Sequence, residues 1–182
     1  MSYTRPRLLN FKSGQVFRRF VKVLESSGYN VFWKVVFAPD YGVPQRRSRL
    51  VLLASRLGPI EMVPPTHNSL TYRTVRDLIA DLPALEAGNV DPYDPLHRSS
   101  GLTEKNRRRI ESAKPGGTWH DWETDLVTAC HKVPTGKGYV SVYGRMPWDE
   151  PAPTITTQFY GFGNGRFGHP VQNRAISLRE GA

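Results

Sequence analysis

The sequence holds a single cysteine, Cys130, among its 182 residues. One thiol excludes an internal disulfide framework and any zinc site built from cysteines, and we expect Cys130 itself to be a small core residue. The chain also lacks an apolar run of the roughly 20 residues that span a bilayer, and its first residues lack the apolar core of a signal peptide. These absences predict a soluble protein of the reducing cytoplasm that makes no membrane contact.

Acidic residues are scarce relative to basic ones, at 16 Asp and Glu against 25 Lys and Arg. The resulting net charge of +9 favours a polyanionic partner, although charge alone does not separate DNA, RNA and acidic membranes. The five histidines show neither i,i+4 nor His-x-His spacing, so we expect no metal site. The adjacent Asp149 and Glu150 point to opposite sides of an extended segment, which indicates a structural role.

The first part of the chain has the periodicities of a small α/β unit. Residues 13–27 carry apolar side chains at helical spacing and Gly28 follows them, which predicts a helix. Residues 29–37 are rich in β-branched and aromatic side chains, and the apolar run 50–54 predicts a second strand buried on both faces. This unit is too small to bury both faces of its own sheet, so we interpret it as the closing part of a larger α/β sheet.

A Gly-Pro turn before the second strand delivers the alternating residues Gln45, Arg47 and Arg49. Side chains on an extended segment alternate between its faces, so these three are expected to point the same way. Two guanidiniums and an amide would then converge on one ligand. The alternative is an edge strand that carries charge to discourage aggregation.

The second part of the chain is loop-rich, with short helices predicted at residues 74–82 and 103–113. Two later loops, residues 132–145 and 158–168, mix glycine with aromatic, amide and arginine side chains, a composition suited to close backbone approach, stacking and hydrogen bonding on DNA. A domain with little regular structure relies on large side chains for its core. The tryptophans expected there are Trp119, Trp122 and Trp148.

Two ordered motifs resemble those of DNA (cytosine-5)-methyltransferases. The segment Y-G-V-P-Q-R-R-S-R-L-V-L-L-A-S at residues 41–55 is similar to the family's QxRxR motif in its usual setting. The succession E-P-A-P-T-I-T-T at 150–157, N-G-R-F-G-H-P at 164–170 and R-A-I-S-L-R-E at 174–180 resembles the end of the target-recognition domain and the RxLxxRE motif that follows it.

The resemblance implies a reaction in which the target cytosine is flipped out of the duplex and a cysteine thiolate attacks C6. The activated C5 then takes a methyl group from S-adenosylmethionine. Matching the motif residue by residue makes Arg49 a donor to the O2 side of the flipped cytosine, with Arg47 beside it and Gln45 supporting the turn. By position, the two glycine-bearing loops look like recognition loops of the major groove. The DNA-binding candidates are Ser141, Tyr143, Arg145, Thr154, Thr156, Gln158, Tyr160, Asn164 and Arg166.

The resemblance covers only the later half of the enzyme. The sequence has no F-x-G-x-G segment for the cofactor, no Pro-Cys nucleophile and no E-N-V segment, and Cys130 does not match the nucleophile. We therefore expect the chain alone to be inactive, to bind double-stranded DNA but not S-adenosylmethionine, and to need the missing N-terminal catalytic half as a partner. The alternative is a non-enzymatic DNA-binding module, either a decayed remnant or the specificity subunit of a split enzyme.

The same resemblance implies three segments. Residues 1–58 would hold the last helix and strands of a Rossmann-like methyltransferase sheet. Residues 59–175 would form a small, loop-rich mixed α+β target-recognition domain. Residues 176–182 would begin the segment that returns to the catalytic domain.

Overall fold

A computed structural model describes residues 7–136, 138 and 140–182 of the chain. The chain divides into two compact units, which we call unit 1 (Met1–Tyr72) and unit 2 (Arg73–Ala182).

Unit 1 is a small α/β unit built on one helix and one β-hairpin. Helix α2 buries Phe17 and Val21, and the ring of Phe17 meets that of Trp33 edge to face at 5.0 Å between centroids. Gly28 follows the helix with φ of 82°, a left-handed conformation that suits glycine. The elements of unit 1 are α1 (Arg7–Asn10), a 3₁₀ turn (Phe11–Gly14), α2 (Gln15–Ser26), β1 (Asn30–Phe37), a 3₁₀ turn (Ala38–Tyr41) and β2 (Ser48–Ser55).

Strands β1 and β2 form a two-stranded antiparallel sheet whose register runs from Asn30 opposite Ser55 to Phe37 opposite Ser48. The predicted helix and both predicted strands are present. The expected burial of residues 50–54 on both faces is wrong, because residues 50–53 are half-buried and Ala54 is exposed. Within the described residues the sheet has no third strand to cover it.

The division between the units falls at Tyr72, later than the predicted boundary at residue 58. The intervening loop stays with unit 1 because it is hydrogen-bonded to Asp40. The N–H groups of Thr66 and His67 both donate to the main-chain oxygen of Asp40, at 2.9 and 3.0 Å, and the Tyr72 hydroxyl donates to the Asp40 carboxylate.

Unit 2 contains short helices joined by long irregular segments. Helix α4 is capped by Thr103, whose side chain accepts from the N–H of Asn106. The helical elements of unit 2 are α3 (Arg76–Ile79), α4 (Glu104–Glu111), a 3₁₀ turn (Trp119–Asp121), α5 (Ala129–Lys132), a 3₁₀ turn (Phe162–Asn164) and α6 (Leu178–Gly181).

The core of unit 2 consists of small apolar clusters rather than one continuous layer. Trp119 and Trp122 are buried together with Leu126, and Trp148 packs against the cluster that contains Met146. The prediction that the tryptophans build this core is confirmed. Cys130, expected in the core, is exposed on α5, where its Sγ lies 3.0 Å from the hydroxyl of Thr128.

A buried ion pair closes the C-terminal end of unit 2. Arg174 donates from Nη1 and Nη2 to the two carboxylate oxygens of Glu180, at 2.6 and 2.7 Å, and neither side chain is more than 1% exposed. Burial opposes ionisation of Glu180, but the hydrogen bonds and positive charge of Arg174 outweigh it and hold the pKa of this carboxyl below its ordinary value. Residues 176–182, expected to begin a return to the catalytic domain, belong to unit 2.

Replacing the buried carboxylate should destabilise unit 2 strongly. Glu180→Gln leaves the Arg174 guanidinium buried without a counter-charge, and we expect a loss of about 3–5 kcal/mol in the free energy of unfolding. Urea unfolding followed by tryptophan fluorescence measures it. The matched control is Asp94→Asn, which breaks the exposed pair of Asp94 with Arg179 and should change stability little. Equal losses in the two variants would contradict the role of burial.

His169 packs beside this ion pair as a neutral ring. Its Nδ1 accepts from the N–H groups of Val171 and Gln172, at 3.2 and 2.9 Å, and its Nε2 lies 3.8 Å from a Glu180 carboxylate oxygen. Burial, together with the positive charge of Arg174, lowers the pKa of His169 from 6.5 to about 4. The folded protein therefore binds this proton less readily than the unfolded chain.

The depressed pKa of His169 predicts a loss of stability on acidification. Below pH 6.5 the unfolded chain takes up the proton first, so stability falls between about pH 6.5 and pH 4 by up to about 3 kcal/mol. Urea midpoints at pH 7 and pH 5 measure this change. His169→Asn keeps an acceptor oxygen for the two N–H groups but removes the titration, so its midpoint should move less. An unchanged pH dependence in this variant would refute the assignment.

Candidate functional site

The arginine row of unit 1 lies at the entrance to β2. Gln45 and Arg47 are half-buried and precede the strand, while Arg49 is exposed on it. The main-chain oxygen of Arg47 accepts from the N–H of Ala38 at 2.8 Å, and Arg49 Nη1 donates to the main-chain oxygen of Ser48 at 2.7 Å. Of the three residues, only Arg49 lies on a strand. The alternation of side chains along a strand is therefore not enough to show that Gln45, Arg47 and Arg49 point in the same direction.

The guanidiniums of Arg47 and Arg49 carry uncompensated charge. Among the described residues, neither forms an ion pair with a carboxylate. Several arginines of unit 2, by contrast, form ion pairs within the unit. The paired arginines are Arg76 with Asp149, Arg107 with Glu104, Arg108 with Glu123 and Asp125, Arg174 with Glu180 and Arg179 with Asp94. The row in unit 1 is therefore suited to bind an anionic or electron-rich ligand.

Residues 158–168 form a loop held by its own hydrogen bonds. The main-chain oxygen of Gln158 accepts from the N–H of Gly161 at 3.1 Å and from the side chain of Asn164 at 3.0 Å. A Cβ at Gly161 would lie 2.3 Å from Asn164 Nδ2, so a larger residue there would displace the Asn164 side chain from this hydrogen bond. The side chains of Gln158, Tyr160 and Asn164 are exposed, which gives a fixed loop with outward polar and aromatic groups.

Arg166 ends this loop in an unusual environment. The residue is half-buried, and its Nε is buried without a hydrogen-bond partner. Its side chain packs over Gly144, where an added Cβ would lie 3.0 Å from Arg166 Cγ. A ligand cannot reach this buried Nε, so any contact with a ligand would come from the terminal guanidinium nitrogens, which are not among the buried atoms without a partner.

The loop at residues 132–145 contributes fewer exposed candidates than the sequence predicts. Ser141 is exposed, but Tyr143 is half-buried and adopts φ of 60°. Its ring contacts those of Trp122 and Phe162 edge to face, with centroids 5.6 and 5.5 Å apart, so Tyr143 has a packing role. Lys137 and Tyr139 of this loop lie outside the described residues. In the neighbouring segment Thr154 is half-buried and Thr156 is exposed.

Arg145 is a buried structural residue, and its prediction as a DNA contact is corrected. Arg145 is only 4% exposed, and all three of its guanidinium nitrogens donate hydrogen bonds within unit 2. The acceptors are the main-chain oxygens of Ile110, Ala113, His169 and Gln172 and the side-chain oxygen of Asn173. Burial lowers the pKa of Arg145 to about 10, so the group stays charged at neutral pH.

Sequence reasoning also missed Arg109. Arg109 lies on α4 and is 6% exposed. Its guanidinium lies 5.2 Å from the ring centroid of Trp122 and 5.1 Å from that of Tyr143. Its Nε donates to the main-chain oxygen of Leu126 at 2.9 Å. The run of three arginines at residues 107–109 indicates that the side chains face different directions, but not which one is buried.

Because Arg145 is buried and hydrogen-bonded within unit 2, replacing it should destabilise the whole unit rather than weaken DNA binding alone. Arg145→Met removes the donors from several buried carbonyls, and we expect a loss of at least about 3 kcal/mol in the free energy of unfolding. The control is Arg166→Met, which removes a half-buried arginine whose Nε has no partner and should leave stability nearly unchanged. Thermal unfolding followed by circular dichroism compares them. A stable Arg145→Met variant with weakened DNA binding would restore the original prediction.

Across the described residues, no three His, Cys, Asp or Glu side chains cluster as metal ligands would. The helices described are all too short or too polar to cross a membrane.

The chain belongs to the family of C-5 cytosine-specific DNA methylases, whose model matches residues 6–182. Members of this family transfer methyl groups to DNA from S-adenosylmethionine. The chain is 53% identical over 177 residues to the type II methylase M.HgiDII of Herpetosiphon aurantiacus, a match that covers 97% of this chain and 50% of the relative. It is 34% identical over 179 residues to the type II methyltransferase M1.BsuMI of Bacillus subtilis, covering 97% and 40% respectively. The chain thus spans about half the length, or less, of these curated relatives.

Proposed function

We propose that the chain is part of a cytoplasmic DNA (cytosine-5)-methyltransferase of a restriction–modification system, which methylates C5 of a flipped cytosine in a specific DNA site. Unit 1 supplies the arginine row and unit 2 supplies target recognition. The observation that carries this proposal is that Arg47 and Arg49, at the entrance to β2, form no ion pair among the described residues, within a chain that matches the family over residues 6–182.

The arginine row suits the electronic demand of the reaction. Attack of a thiolate at C6 places negative charge on the cytosine ring, and a fixed guanidinium beside O2 stabilises that charge as it develops. In the proposal Arg49 is this donor, Arg47 steadies the same base or a neighbouring phosphate, and Gln45 supports the turn.

The recognition surface is proposed on unit 2. The loop at residues 158–168 presents Gln158, Tyr160 and Asn164, and the half-buried Arg166 is proposed to donate from its terminal nitrogens to a guanine edge or a phosphate oxygen. Additional candidates are Ser141, Thr154 and Thr156. Arg145 and Tyr143 act indirectly by holding the unit together.

The sequence has no F-x-G-x-G segment for S-adenosylmethionine, and the connection that follows β1 in unit 1 is not a glycine-rich loop. Strand β1 leads directly into the 3₁₀ turn Ala38–Tyr41, and Gly42 behind it packs against His67, where an added Cβ would lie 2.9 Å from the ring. This connection has no open glycine-rich loop to approach the cofactor. We therefore place the cofactor pocket and the nucleophile in a further half of the enzyme, and the chain alone is inactive.

The exposed surface of unit 1 supports a partner half. Phe20, Val23 and Trp33 are exposed by 51%, 60% and 45%. Trp33 also lines a cavity of about 740 Å³, together with Phe17 and Val35. Burying such surface is favourable at about 25 cal/mol per Å². Since the chain spans about half of its relatives, the remaining half of the enzyme is the proposed occupant, in the same chain or as a separate subunit.

A non-enzymatic DNA-binding module is the second candidate. The chain's single cysteine, Cys130 on α5 of unit 2, does not match the family's nucleophile, so the chain by itself is compatible with both candidates. A specificity subunit of a split enzyme or a decayed remnant would keep the recognition loops without any chemistry. Complementation separates these candidates.

The test supplies in trans the part of the Herpetosiphon relative that lies outside the match. The mixture should methylate DNA, and Arg49→Ala should lower the methylation rate about 100-fold or more while duplex affinity changes little, because the donor acts on charge that grows in the transition state. Tritium transfer to duplex DNA and fluorescence anisotropy measure the two quantities. The control is Arg56→Ala, which removes an exposed arginine near the end of the same hairpin. No methylation in any mixture would favour the second candidate.

A further inference from the structure

A surface cavity of unit 2 is lined in part by the basic residue Arg98. The cavity has a volume of about 400 Å³, within the range of small-ligand sites, and is lined by Arg98, Ser99, Ser100, Tyr160 and Leu178. Arg98 is exposed. Within the described part of the chain, its guanidinium has no carboxylate partner and the Ser100 hydroxyl donates no hydrogen bond.

The walls of this cavity are fixed by main-chain contacts. Arg98 pairs with Val90 in an antiparallel bridge, and its main-chain oxygen accepts from the N–H of Leu178 at 3.3 Å. The Ser99 N–H donates to the main-chain oxygen of Asn89 at 3.1 Å, and its hydroxyl donates to that of Ala175 at 3.2 Å. The Arg98 and Ser100 side chains therefore extend from a rigid segment.

We propose that this cavity binds a phosphodiester of the DNA backbone, with Arg98 and Ser100 as hydrogen-bond donors to the phosphate oxygens and Tyr160 against the adjoining sugar. Guanidinium and hydroxyl donors are the groups that proteins commonly use to bind DNA phosphates. Tyr160 belongs to the loop proposed to bind DNA and is 41% exposed, so the cavity adjoins that surface. The inference rests on the proposed function. It assigns a phosphate-binding role to Arg98 and Ser100, which lie outside both recognition loops.

A DNA phosphate suits the cavity better than an acidic protein segment does. The volume is large enough for a phosphate with its sugar. The aromatic wall of Tyr160 also offers a face for a sugar or base. The net charge of +9 favours a polyanion as the ligand.

The experiment measures binding of the full chain to a fluorescein-labelled duplex at several salt concentrations between about 50 and 200 mM. Arg98→Gln should reduce the slope of log K against log[salt] by about one and weaken binding about fivefold at the lowest salt, equally for all sequences. Ser100→Ala should weaken binding about twofold and add little to Arg98→Gln. The matched control is Arg107→Gln, which removes one charge from an exposed arginine of α4 outside the cavity.

A second measurement uses inorganic phosphate and does not depend on DNA binding. In the ¹⁵N-labelled chain, phosphate should shift the Arg98 Nε–H and Ser100 amide resonances, and Arg98→Gln should abolish the Ser100 shift. Equal effects of Arg98→Gln and Arg107→Gln on the salt slope, or phosphate shifts that spread over unrelated basic residues, would overturn the inference. In that case salt-dependent duplex binding by the wild-type chain would leave the proposed function standing. If the wild-type chain did not bind the duplex, both the inferred phosphate site and the proposed function would be wrong.

Discussion

The buried guanidiniums of unit 2 are the interactions on which its architecture depends. A unit with short helices and long irregular segments leaves many main-chain carbonyls without partners in regular secondary structure. Each carbonyl that is buried without a hydrogen-bond donor lowers the stability of the fold. Arg145 and Arg174 supply planar forks of donors that satisfy several of these oxygens at once. Glu180 then balances the charge of Arg174, which is why the last residues of the chain belong to this unit.

These interior contacts also position the surface that we propose for DNA. Arg145 follows Gly144, whose main-chain oxygen accepts from the N–H of Gly168 at 2.9 Å, and the next residue, Met146, donates back to Gly168 at 2.8 Å. The segment around Arg145 is thus joined directly to the end of the loop at 158–168. A core arginine can therefore influence recognition without touching DNA, through the placement of Arg166 over Gly144.

Periodicity and motif spacing predicted the elements of unit 1 well, because α2, β1 and β2 follow local patterns that neighbouring residues determine. The motif from Arg174 to Glu180 was identified by resemblance. In the structure its first and last residues form the buried ion pair, which explains why both residue types are present. The environments of Arg145, Arg109 and Cys130 could not be predicted in the same way. Whether an arginine is buried depends on carbonyls distant in sequence, such as those of Ile110 and His169 for Arg145.

The arginines of this chain show that partners, rather than residue type, separate structural from functional positions. Arg174 and Arg145 are buried and fully hydrogen-bonded, and Arg76 and Arg179 face carboxylates at the surface. An arginine whose donors are satisfied internally has little to gain from a ligand, since binding would exchange one set of hydrogen bonds for another. The arginines that remain open to a ligand are those without a carboxylate partner among the described residues, and they include Arg49 on β2 and Arg98.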